Sequence, residues 1–175
     1  MTKYVAFLRA INVGGHTVIK MADLKRMFES FGLENVQTFI QSGNVIFESG
    51  EENANSLAER IERGLEKASG FRIKLFVRTM RELQSILSKS PFKPKADEMA
   101  YIAFLNQKPA KKEAQALMSF KSAADDFAVT GREVYILRLD REKSVFSPNF
   151  VEKILKLPVT TRNLTTLTKI VDKYR

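Results

Sequence analysis

The sequence has no cysteine, no tryptophan and a single histidine in 175 residues. Without cysteine there are no disulfides, no thiolate metal ligands and no cysteine nucleophile. With His16 alone, a metal site would have to be nearly all-oxygen, and a Ser-His-Asp triad has one imidazole to draw on. No carboxylate adjoins His16 in sequence, so it reads as a solvated loop residue rather than a general base. No metal and no cofactor are expected. Long apolar runs are missing too: nothing approaches the roughly 20 residues of a membrane-spanning helix. The first apolar run, Tyr4 to Leu8, is short and is cut by Arg9. It reads as a strand and not as a signal peptide, so a cytoplasmic location with no membrane partner is expected.

Positive charge is plentiful. Lysine and arginine number 29 against 20 aspartate and glutamate, a net charge of +9. Residues 1–79 hold 11 basic and 9 acidic side chains, and residues 80–175 hold 18 and 11, so the excess lies in the second half. Such an excess attracts polyanions, and it also serves plain solubility.

Periodicity lays out the chain. A near-continuous apolar run over residues 3–8 predicts a buried strand. Met21, Leu24, Met27, Phe28 and Phe31 fall at helical spacing, and Gly32 ends that helix. Strands follow on either side of a Ser42-Gly43-Asn44 turn, then a helix with Leu57, Ile61 and Leu65 inward, then a strand at Ile73–Val77. That order, βαββαβ, is the split βαβ pattern of a ferredoxin-like fold. Thr79 and Glu82 form a capping box for the next helix, and Pro91 and Pro94 mark a linker.

The opening strand then returns. Tyr101-Ile-Ala-Phe-Leu105 repeats Tyr4-Val-Ala-Phe-Leu8 with one conservative change, and strand, helix and hairpin patterns follow it again. The expected class is α+β: two pseudo-duplicated ferredoxin-like halves, residues 1–79 and 99–175, joined by a helix and linker at 80–98. The second half is expected to depart at its end. There Thr160 to Asn163 reads as a helix start instead of a fourth strand, and the chain closes in helices. The strand aromatics Tyr4, Phe7, Phe39, Phe47, Tyr101, Phe104 and Tyr135 read as core rather than as a base-stacking surface.

Three polar clusters sit at connections. Arg9, Asn12, Gly14 and Gly15 occupy a strand-to-helix loop, where adjacent glycines open backbone amides to an anion and an arginine can grip it. Gln41, Ser42 and Asn44 lie on a hairpin tip, with amides able to read a base or amide edge. Thr161, Arg162 and Asn163 offer a hydroxyl, a guanidinium and an amide. None matches a Walker A loop or G-x-G-x-x-G. Beside each functional reading stands an architectural one, as turns and caps.

With these segments in hand, the chain resembles the domain of unknown function 1697 family. That group is mainly bacterial, and its members carry L-R-G-I-N-V-G-G, M-x-x-L, Y-I-Q-S-G-N-V-V-F and T-T-R-N-W. Here these read Leu8 to Gly15, Met21 to Leu24, Phe39 to Phe47 and Thr160 to Leu164. The resemblance implies two α+β, ferredoxin-like halves and supplies no activity. Ala10 replaces the usual glycine, so a negative φ or a looser turn is expected there. Leu164 replaces the usual tryptophan.

The expected function is binding of a small anionic or nucleotide-like ligand in a cleft lined by the three polar motifs. The alternatives are nucleic-acid binding through the basic second half, and motifs that are purely structural. No activated nucleophile or acid–base pair stands out, so enzymatic activity is left open, and a monomer is slightly favoured.

Overall fold

The computed structural model describes residues 1–175. The first half runs β1 (Thr2–Leu8), α1 (Met21–Ser30), β2 (Glu34–Phe39), β3 (Asn44–Ser49), α2 (Ala54–Ser69), β4 (Leu75–Thr79), then α3 (Met80–Ser88). The second runs β5 (Met99–Phe104), α4 (Lys111–Met118), β6 (Asp125–Thr130), β7 (Glu133–Arg138), α5 (Pro148–Leu155), β8 (Thr160–Asn163), then α6 (Leu164–Tyr174). Two compact units result, Met1–Leu83 with Tyr174–Arg175, and Gln84–Lys173. The division falls inside α3 rather than at the prolines.

The sheets have matching strand orders, β2-β3-β1-β4 and β6-β7-β5-β8, with all pairs antiparallel. This is the ferredoxin-like arrangement: β3 lies between β1 and β2, and β7 between β5 and β6.

In the first unit one face of β1 supplies Tyr4, Ala6 and Leu8 to a core with Val45, Phe47, Leu75 and Val77. Helices α1 and α2 close that core with Leu24, Phe28, Leu57, Ile61 and Leu65. Each large apolar side chain buried this way contributes about 1.5–3 kcal/mol. The alternate residues Val5 and Phe7 are equally buried, and a strand buried on both faces is why residues 3–8 read as an unbroken apolar run. Asn53 caps α2 by accepting from the amides of Asn55 and Ser56, and Gly70 ends it at φ 76°. The capping box of α3 is present: the Thr79 amide donates to Glu82 Oε2 at 2.7 Å, and the Glu82 amide donates to Thr79 Oγ1 at 3.0 Å.

The second unit builds its core from Ala103, Leu105, Leu117, Phe127, Val134, Ile136, Phe146, Val151 and Leu155. Ser147 accepts from the Phe150 amide at the start of α5, with Pro148 at its first position. Of the strand aromatics, Tyr4, Phe7, Phe47, Phe104 and Tyr135 are buried, and Phe39 and Tyr101 are half-buried.

Two expectations are corrected. Thr160 to Asn163 is not a helix start but a strand, β8, and it fills the same place beside β5 that β4 fills beside β1. The second half is therefore a full βαββαβ copy. Its short strand was disguised by threonine and asparagine, residues that also favour caps. Ala10 does not have a negative φ: it sits at +55°.

Candidate functional site

Two of the three polar motifs meet in the first unit, where Ile11 packs on Gly43 and Asn12 hydrogen-bonds to the hairpin. Leu8 leaves β1 with its amide donating to the Gly43 carbonyl at 2.8 Å, and the Arg9 amide donates to the Lys74 carbonyl at 2.8 Å. The chain then turns through Ala10 and Asn12, both left-handed. This drops Ile11 onto the hairpin. A Cβ placed on Gly43 would lie 2.8 Å from Ile11 Cγ1 and Cδ1 and 3.0 Å from Leu8 Cβ. Gly43 is also at φ +73°, so both its backbone and its lack of a side chain are required.

Asn12 holds this corner together. Its Nδ2 donates to the carbonyls of Ile19 at 3.0 Å and Gln41 at 3.1 Å, while its Oδ1 accepts from the Ile19 amide at 2.9 Å. The Asn12 amide itself donates to the Thr17 carbonyl at 2.7 Å. One side chain thus closes the loop on itself and ties it to the hairpin. Asn44 does the same for the hairpin: it is fully buried, and its Nδ2 donates to the Phe39 carbonyl and to Ser42 Oγ.

Above this lock lies an exposed crest of Val13, Gly14, Gly15 and His16, with Ile40 and Gln41 exposed on the hairpin. Gly14 and Gly15 are at φ +66° and +76°, and no atom crowds the Cβ position of Gly15. The amides of residues 13–16 donate no hydrogen bond within the protein. Arg9 is half-buried at the base of the loop.

The third motif belongs to the second unit. Thr160, Thr161, Arg162 and Asn163 pair with Phe104, Ala103, Ile102 and Tyr101 of β5. Arg162 is buried; its Nη1 donates to Thr160 Oγ1 at 2.8 Å and to the Thr161 carbonyl at 3.1 Å. Burial lowers its pKa to about 10. Asn163 accepts from the Thr165 amide and starts α6. The Thr161 hydroxyl is buried without a hydrogen-bond partner.

Sequence reasoning missed Arg78. It is 1% exposed on β4, opposite Val5, as Arg162 is opposite Ile102 on β5. Val5 and Ile102 are matching positions of the repeated strand. Each arginine donates to the carbonyl of the residue before it, and each is followed at once by a helix cap, Thr79 or Asn163. Extending the repeat to the fourth strands, Val77-Arg-Thr79 against Thr161-Arg-Asn163, would have revealed it. Asp125 was missed too. Fully buried, it accepts from Ser144 Oγ at 2.6 Å and from the Val145 amide at 2.8 Å, pinning the loop before α5. No three histidine, aspartate or glutamate side chains are grouped so as to hold a metal ion, and no helix is long and apolar enough to cross a membrane.

A duplicated ferredoxin-like fold with an interlocked loop and hairpin defines the class. The family model described as a protein of unknown function, DUF1697, matches residues 1–135, and the chain belongs to that family. Among solved structures it is similar to the conserved bacterial protein SP0830 of Streptococcus pneumoniae. The two share 22% identity over 99% of each chain, with a TM-score of 0.77, a likeness of fold. No curated protein is similar enough in sequence to be matched.

Proposed function

We propose that the first unit binds a small anionic, nucleotide-like ligand on the crest formed by residues 13–16 and the hairpin tip at Gln41. The observation that carries this reading is the run of four exposed residues whose amides have no internal partner, on a loop held from beneath by Asn12 and Gly43. Unpaired amides beside left-handed glycines suit a phosphate or carboxylate, and a preorganised loop loses little entropy on binding. In this reading Arg9 and Gln41 contact the ligand. Asn12, Ser42 and Asn44 serve as supports, and Thr161, Arg162 and Asn163 maintain the second unit.

Amide NMR shifts on titration with inorganic phosphate, a nucleoside monophosphate and acetate test it. Saturable shifts confined to residues 13–16 and 41, weakened by Arg9→Ala, are expected. No saturable shift in this loop at millimolar ligand defeats the reading. The charge excess of residues 80–175 favours a second reading, nucleic-acid binding, which predicts affinity for oligonucleotides that falls steeply with salt.

A further inference from the structure

Beside the loop a shallow, open groove of about 560 Å³ lies on the surface. Its walls are Val18 and Ile19 from the end of the loop, Met27 on α1, and Phe71 after α2. Val18 is 67% exposed and Phe71 41%, so two of the largest exposed apolar side chains of the unit face one opening. Ile19 is held there by both backbone hydrogen bonds to Asn12, so the same asparagine that closes the loop also sets one wall of the groove.

The polar groups around the groove are mostly committed. Ser30 and Ser69 donate to carbonyls of their own helices, and Arg26 pairs with Asp23. Among these side chains the Lys20 ammonium alone makes no ion pair and no hydrogen bond, its backbone carbonyl accepting from the Leu24 amide, and the residue is exposed on the rim. A site with apolar walls and one uncommitted cation selects an occupant with the complementary pattern.

We infer that this groove binds a small amphiphilic carboxylate, its apolar body against Val18, Met27 and Phe71 and its carboxylate on Lys20. Methionine and phenylalanine are suited to such a body, the one adaptable and the other rigid. The site is distinct from the crest at residues 13–16, because its ligand-facing groups are side chains of Val18 to Phe71 rather than loop amides.

The full-length protein is titrated with decanoate, decyltrimethylammonium and acetate below micellar concentrations, and amide shifts are followed by NMR. Saturable shifts at Val18, Lys20, Met27 and Phe71 with decanoate are expected. Acetate should leave them unmoved, and decyltrimethylammonium should bind more weakly. Lys20→Glu should weaken decanoate about three- to fivefold, the size of one exposed charge contact, and should favour the cationic probe. Phe71→Asp, at an exposed position, should abolish binding while the rest of the spectrum stays intact. Arg9→Ala should leave decanoate binding unchanged, which separates this site from the crest. Equal binding of the two charge types, shifts spread outside the groove, or no saturation would overturn the proposal.

Discussion

At the scale of the residue, left-handed backbone places the clearest demands. Ala10 sits at φ +55°, where an L-residue with a Cβ is strained by about 1–2 kcal/mol. Ala10→Gly should therefore raise stability by roughly 1 kcal/mol, net of the larger entropy glycine loses on folding. Thermal or urea unfolding will show it; an unchanged or lower midpoint would mean that the loop relaxes around alanine. Thr161 offers a second test. Its hydroxyl is buried with no partner, a burden of about 1–3 kcal/mol. Thr161→Val keeps the shape and removes the orphan, so stability should rise by about 1 kcal/mol. A loss of stability on urea denaturation would show that the hydroxyl does have a partner in solution. Neither position was legible in the sequence. The φ of Ala10 is imposed by the closure of loop on hairpin, which lies outside any local propensity, and burial of a threonine hydroxyl depends on packing from distant segments.

At the scale of the element, the loop after β1 and the hairpin between β2 and β3 form one unit of structure. Gly43→Ala introduces both a left-handed alanine and a clash with Ile11 and Leu8, and should cost about 2–4 kcal/mol. In an Ile11→Ala background the side chain that meets the new methyl is gone, so the same change should cost less. A double-mutant cycle with no coupling would disprove the contact. Most elements could be read directly because their signals are local: the unbroken apolar run of buried β1, the capping box at Thr79, Ser147 and Pro148 at the start of α5. Strand β8 could not. Four residues, Thr-Thr-Arg-Asn, carry too little apolar pattern to announce a strand, and their capping character pointed elsewhere. The missed Arg78 has a similar cause, since a lone arginine in a strand suggests an exposed position, whereas this one is buried although β4 is an edge strand of its sheet.

At the scale of the whole molecule, each unit buries a tyrosine that donates to a backbone carbonyl. Tyr4 reaches Glu51 at 2.6 Å and Tyr135 reaches Ile86 at 2.9 Å. Burial raises the pKa of both phenols above the usual value near 10. The unfolded chain therefore loses these protons first as pH rises. The stability they contribute is intact below about pH 10 and declines above it. Arg162 works in the opposite sense. With its folded pKa lowered to about 10, the native state sheds that proton before the unfolded chain does, which favours folding at higher pH. In urea denaturation at pH 8 and pH 11 the tyrosine share should appear as a loss of stability carried by Tyr4 and Tyr135, opposed by Arg162. Tyr4→Phe with Tyr135→Phe should remove that loss; an unchanged loss in the double variant would assign it elsewhere.

The recurrence of one strand, with an arginine set opposite its second residue in both copies, has a practical consequence. The protein carries its own blank. After Leu8 the chain builds the glycine loop, and after Leu105 the matching strand passes instead through Asn106, Gln107, Lys108 and Pro109 into α4. An experimenter can graft Arg9 to Ile19 onto Leu105, or replace the loop after Leu8 with the plain connection, and compare two sites on one scaffold in a single sample. Any binding that belongs to that loop should travel with it or fail to, inside the same molecule.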